Sequence, residues 1–244
     1  MRARLVDVSR HQGKVNVAKI KAAGFCGLVA RCTIGWSYFD PFYEDTQGQA
    51  RDVGMIFGAY NVLWPSNQNP QREAIWANQK MGDVDFFVED IELTQGISAS
   101  NIGNQARTKM LKLEELRSSK PWVYTGSWFW NGALGSATPF GWEQEYPLWE
   151  AEYLRKAFGL YDPDDSPEFV KPQTLGKGWA NWRMWQWTSK GKPIGVQSSS
   201  LDYNVYNGTE EELREFLGSP QQLTLEEKVD ILWECLPNCH PEGN

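Results

Sequence analysis

Short apolar runs alternate with longer amphipathic stretches along the chain, the pattern of strand and helix units repeated around a parallel sheet. The pattern predicts strands at Leu5–Val8, Gly27–Thr33, Met55–Val62, Phe86–Ile91, Trp122–Tyr124, Leu148–Glu150, Met184–Thr188 and near Leu201–Asp202. That is about eight, the strand count of a closed α/β barrel. Helices are expected over Asn16–Ala23, Asp40–Val53, Gln71–Met81 and Ser100–Ser119, the last behind a Ser-Ala-Ser stretch with good N-cap chemistry. From Pro121 to Thr209 the sequence is rich in Gly, Pro, Trp and Asp, so the second half of the barrel should be poor in crossover helices. Glu210–Leu217 then reads as a closing helix. The fold expected is an α/β, TIM-like barrel over residues 1–218. Residues 219–244, with an amphipathic stretch at Leu225–Trp233, are too short to bury a core and read as an appendage that packs on the barrel or mediates association.

Charge and composition narrow the function. A net charge of −7 without a Lys/Arg cluster argues against nucleic acid as a partner. No apolar run approaches the ~20 residues that span a bilayer, which argues against membrane insertion. The N-terminal MRARLVDVSRHQG places Asp7, Ser9, Arg10 and His11 where a secretory signal needs an apolar run. Cys26 and Cys32 share one strand-like segment and Cys235 and Cys239 one polar tail, a poor disulfide framework. The expectation is a chain made in the cytoplasm without a signal peptide, with free thiols, acting as a monomer. Cys235, Cys239 and His240 are a weak metal set in an irregular tail, so neither metal nor cofactor is expected. Aromatic content adds one positive indication: 13 Trp, 9 Tyr and 11 Phe include several in polar, turn-rich segments such as YTGSWFWNG. Most such rings pack cores, but a subset suits the flat faces of sugars.

The acids of DVDFFVEDIEL, residues 83–93, carry the chemistry. In a strand Asp90 and Glu92 project from one face, about 6.6–7 Å apart along the backbone, with Glu89 and Ile91 on the other. At the C-terminal end of a barrel strand the pair would lie where barrel enzymes place their active sites. Two close carboxylates raise each other's proton affinity, so one is kept protonated to serve a leaving glycosidic oxygen. Taken alone, the segment reads equally well as a strand running into a solvated acidic loop. Asp7, ending the first strand, and Asp202, ending the last, occupy matching places on strands that are neighbours in a closed barrel.

The segments DVSRHQG at 7–13, GLVARCTIGWSYFDPFY at 27–43 and FGAYNVLWPSNQNPQREA at 57–74 resemble the glycoside hydrolase family 25 muramidases, the Chalaropsis-type lysozymes that include many phage endolysins. The resemblance continues through VEDIEL at 88–93, WVYTGSWFW at 122–130, PLWEAEY at 147–153, RMWQWT at 183–188 and LDYN at 201–204. It implies a modified barrel of eight strands and about five helices. It implies catalytic roles for Asp7, Asp90, Glu92 and Asp202, with Glu92 as general acid/base and Asp90 stabilising positive charge or orienting the substrate acetamido group. The partner implied is a peptidoglycan glycan strand, cleaved with retention through acetamido assistance, after another factor has permeabilised the membrane. In segments matching the family, Tyr60, Trp64, Tyr124 and Trp187 are expected to bind sugar and Gln186 to bond a substrate acetamide or cap its strand.

His11, Arg31 and Asn61 depart from the family's usual Trp, Lys and His, which bears on fine substrate preference rather than on the acids. Two other readings stay open at this point: a non-catalytic glycan-binding or virion structural barrel, and another glycosidase such as a chitinase. The Asp-x-x-Asp-x-Asp-x-Glu spacing of the latter is absent.

Overall fold

The computed structural model describes residues 1–156 and 158–218. Its sheet comprises β1 Arg4–Val8, β2 Gly27–Ile34, β3 Tyr38–Phe39, β4 Ile56–Val62, β5 Phe86–Asp90, β6 Trp122–Thr125, β7 Leu148–Ala151, β8 Met184–Gly191 and β9 Leu201–Tyr206. Eight of these close into a ring in the order β1-β2-β4-β5-β6-β7-β8-β9, and β3 is a short hairpin partner on the end of β2. Five α-helices occupy the described residues: α1 Val17–Ala22, α2 Tyr43–Asp52, α3 Pro70–Met81, α4 Ala99–Arg117 and α5 Glu210–Gly218. The appendage, with Leu225–Trp233, Cys235, Cys239 and His240, lies outside the described residues. No helix among them is long and apolar enough to cross a membrane.

The expected parallel sheet is parallel only from β1 round to β8; β9 runs antiparallel to both β8 and β1. The reason is the connection. Residues 192–200 are fewer than the dozen or more that a parallel crossover needs, so the chain returns alongside the strand it has just left. β9 also runs four residues beyond the predicted Leu201–Asp202, because the polar Asn204 that broke the apolar pattern points into the lumen. The helix expected from Asp40 starts at Tyr43 instead. Asp40 is engaged elsewhere: its carboxylate accepts from the Arg10 and Phe42 amides and from Arg31 Nε, pinning the loops on either side of β2.

Side-chain alternation along the strands divides the core in two. Leu5, Val29, Ile56, Phe86, Val88, Trp122, Trp149 and Met184 fill the lower lumen, with Leu213 of α5 among them. Val6, Leu28, Phe57, Phe87, Val123, Trp185 and Tyr203 face outward into the surrounding layer. In the first half that layer is helical: α1 is capped by Asn16, α3 by Asn69 followed by Pro70. In the second half it is aromatic, as the helix-poor pattern requires. Trp130 sits 4.8 Å from Trp179 and 5.7 Å from Trp142, ring centre to ring centre.

Buried loops must satisfy their backbone donors, and two sunken glutamates do so here. Glu150 accepts from the Ser127 and Gly176 amides, and Glu143 from the Phe140 and Gly141 amides. Burial pushes the Glu150 carboxyl up to about 7.

Gly58 on β4 leaves room for the Phe86 ring; a Cβ there would stand 2.5 Å from it. Phe86 is backed by Trp122 at 4.9 Å and has little freedom to withdraw. Gly58→Ala should therefore destabilise the barrel by about 1–3 kcal/mol, read from the midpoint of urea unfolding.

Candidate active site

The upper lumen opens into a cavity of about 460 Å³ lined by Asp7, Asp90, Glu92 and Asp202 together with Tyr60, Trp64, Tyr124 and Gln186. These four acids and four of the five expected sugar-binding residues thus meet in one place. Period-two alternation brings them there: Asp7 follows Leu5 on β1, Tyr60 follows Gly58 on β4, and Asp90 follows Val88 on β5. Glu92 lies just past the end of β5, and Asp202 is the direct cross-strand partner of Asp7 in the β1–β9 ladder.

Trp187 is not there. It is fully buried in the outer layer, its ring 4.9 Å from Tyr161 and 5.9 Å from Tyr203. The cause is again the alternation: Gln186 points into the lumen, so its neighbour must point out. Trp187 is a core residue, and its assignment to sugar binding is corrected. Trp64 stands at the rim with 37% of its surface exposed.

The floor of the cavity is a continuous hydrogen-bond network centred on Asp7. Asp7 Oδ2 accepts from Gln186 Nε2 and from Asn204 Nδ2, each at 2.8 Å. Trp149 Nε1 donates to Asn204 Oδ1 at 2.8 Å, and the Tyr124 and Tyr153 hydroxyls donate to Gln186 Oε1 at 2.9 and 2.8 Å. Gln186 is therefore neither a strand cap nor an acetamide site with a free carbonyl: its oxygen already receives two phenols. Asn204, Trp149 and Tyr153 escaped the sequence reading, as did the cavity-lining Ser9 and Gln12. A signal existed for Asn204, which lies two residues from Asp202 and so shares its face.

Asp90 is 4% exposed and its Oδ1 has no hydrogen-bond partner. Burial first, then repulsion from Glu92 and Glu89, raises its pKa well above the usual carboxylate range. Burial, then Asp7, raises Glu92 too. Burial lifts Asp7 to about 6 against the hydrogen bonds from Asn204 and Gln186, and lifts Asp202 to about 8, with Asp7 as the next cause. Burial also holds the Tyr60 and Tyr124 phenols well above their ordinary values, so both remain neutral donors. The site is thus a set of carboxyls that shares protons at neutral pH, facing a groove with aromatic walls. It can deliver a proton and then take one back.

Strand-end carboxyls of this kind at the mouth of a barrel are the equipment of a glycoside hydrolase. Comparison with known proteins agrees. The family model for glycosyl hydrolases family 25 matches residues 6–196. An uncharacterized protein of Escherichia coli O157:H7, YegX, is 30% identical over 87% of this chain and 72% of its own length. Lysozyme M1 of Streptomyces globisporus is 24% identical over 84% of this chain and 67% of its own. The bacterial lysozyme of Streptomyces coelicolor superposes with a TM-score of 0.73 at 22% identity, covering 89% of this chain and 97% of that one. The chain belongs to glycosyl hydrolases family 25 and is a glycoside hydrolase.

The raised acids make stability fall with pH. Asp in an unfolded chain titrates near ~3.9, below the folded values of Asp7 and Asp202. The native state therefore holds more protons between about pH 4 and pH 8, and its advantage is complete below that window and lost through it. Asp202→Asn removes one of these groups, so its thermal stability relative to the parent should rise from pH 5 to pH 8. A gain of about 1 kcal/mol, or about 2–4 °C, is expected at pH 8 by calorimetry. An equal effect at both values would contradict this.

Proposed function

We propose that this hydrolase is a muramidase that cuts the β-1,4 bond between N-acetylmuramic acid and N-acetylglucosamine in peptidoglycan. The observation that carries the reading is the placing of Asp90 and Glu92 at the same strand end, both raised in proton affinity, in one cavity with Asp7 and Asp202. The likeness to Lysozyme M1 and to the Streptomyces coelicolor lysozyme supports the choice of substrate.

In this reading Glu92 holds the proton and gives it to the glycosidic oxygen as the C1–O bond breaks. The carbonyl oxygen of the substrate's own 2-acetamido group closes on C1, and Asp90 faces the positive charge that forms on the acetamido group. Water then attacks C1, its proton returns to Glu92, and the acetamido carbonyl is released. Two inversions at C1 leave net retention, by a route that needs no protein nucleophile. Asp7 and Asp202 tune the charge of the pair, and Trp64 offers the exposed ring at the groove's rim. The setting proposed is that of a lytic enzyme made in the cytoplasm, acting on the bacterial wall once the membrane has been permeabilised.

Glu92→Gln keeps the shape and removes the acid. It should lower kcat on purified peptidoglycan by about 10³-fold with little change in KM, with muropeptides ending in reducing muramic acid disappearing from the mass spectrum. Wall binding without cleavage by either protein would instead support a non-catalytic barrel.

A further inference from the structure

Behind β5, on the side away from the cavity, three charged side chains lie buried together. Lys109 of α4 and Glu89 of β5 are 0% exposed and Glu73 of α3 is 1% exposed. Lys109 Nζ lies 2.6 Å from Glu89 Oε1 and 3.3 Å from Glu73 Oε2. Both helices give up a position in their apolar stripe for this. Lys109 stands among Ile102, Ala106, Met110 and Leu113 on the buried face of α4, and Glu73 beside Ala74, Ala77 and Met81 on that of α3. Charges placed against the pattern of an apolar face mark a site where something other than packing is served.

The contacts of the two acids show what that is. Glu89 is the immediate neighbour of Asp90, on the opposite face of β5. Glu73 reaches the rim of the cavity: its Oε2 accepts from the Trp64 amide at 3.2 Å and its Oε1 from Asn67 Nδ2 at 2.7 Å. Lys109 Nζ also points to the Val62 carbonyl at 3.5 Å, at the end of β4 just before that rim. One ammonium thus ties the strand end that carries Asp90 to the loop that carries Trp64.

We propose that Lys109 is a positioning residue whose ammonium, through Glu89 and Glu73, fixes the distance between the Asp90 strand end and the Trp64 rim of the cleft. A buried cation with two acids is costly to assemble and worse to break in part, so the cluster is stiff. It holds the exposed ring of Trp64 ready for a sugar instead of leaving the order to be imposed on binding. The kinetic consequence rests on the muramidase reading; the geometric one does not.

The test uses the full chain and two variants. Lys109→Met with Glu89→Gln removes the cation together with the charge it neutralises, and Glu73→Gln keeps shape and an acceptor but drops the charge that faces Lys109. Backbone hydrogen exchange is followed in peptides covering 63–69 and in β1, β2 and β9 as an internal control. Kinetics on soluble glycan oligomers are run beside it. The expected result is about tenfold faster exchange at 63–69 with the control strands unchanged, and KM raised about fivefold with kcat lowered less. Parent-like exchange at 63–69 and parent-like KM in a folded variant would overturn the proposal, whatever the melting temperature. Should the double variant fail to fold, Glu73→Gln decides on the same readouts. Should the parent chain not cleave glycan, the muramidase reading fails, and exchange alone still decides the clamp.

Discussion

Eight strands closed into a ring leave a lumen only wide enough for side chains to fill, and every second residue of every strand must enter it. The lower part is filled by Leu, Ile, Val, Phe and Trp. At the upper end the same rule delivers Asp7, Arg31, Tyr60, Asp90, Tyr124, Gln186 and Asn204 into one space. Ring closure between β1 and β9 sets Asp7 directly across from Asp202. Carboxyls confined in this way cannot all ionise, because each pays for lost water and then for its neighbours. The raised proton affinities of the site are thus a result of barrel closure, and the proposed acid catalysis draws on them.

Polar neighbours decide how the confined acids differ. Asp7 receives two amide donors and stays nearer the ordinary range, whereas Asp202 has Asp7 for a neighbour and lies higher. Asp90 has an oxygen without a partner and is raised by burial first, then by Glu92 and Glu89. Gln186 links the two sides of the lumen, giving an N–H to Asp7 while taking the hydroxyls of Tyr124 and Tyr153. Neutral amides, backed by neutral phenols, therefore hold Asp7 in a fixed place without adding charge.

Much of this was legible in the sequence because both periods are strong. The apolar runs mark all eight barrel strands, and the two-residue step from Asp90 to Glu92 already puts both acids on one face. Trp187 shows the limit of motif reading. The segment RMWQWT marks the right strand, but only the face of Gln186 decides which tryptophan sees the cavity, and a one-residue step sends Trp187 into the core. Applied strictly from Asp202, the same step would have found Asn204. Trp149 and Tyr153 were harder, since their contacts to Asn204 and Gln186 span 55 and 33 residues of chain. The antiparallel course of β9 depends on a connection whose lack of a helix carries no direction of its own. The two-residue β3 has too little sequence to register as a period.

Strand β5 shows how the two sides of the sheet depend on each other. Glu89 and Asp90 are adjacent and buried on opposite faces, and Glu89 raises the cost of ionising Asp90. Such a strand end would drive both carboxyls to the neutral form if nothing opposed them. On the outer face the opposition is a single ammonium: Lys109 favours the charged form of Glu89 and also draws Asp90 down, though burial outweighs it for both. The helical layer thus supplies more than cover. Without Lys109 the acid density at the end of β5 would lose the counter-charge on its outer face, and Asp90 would hold its proton more tightly.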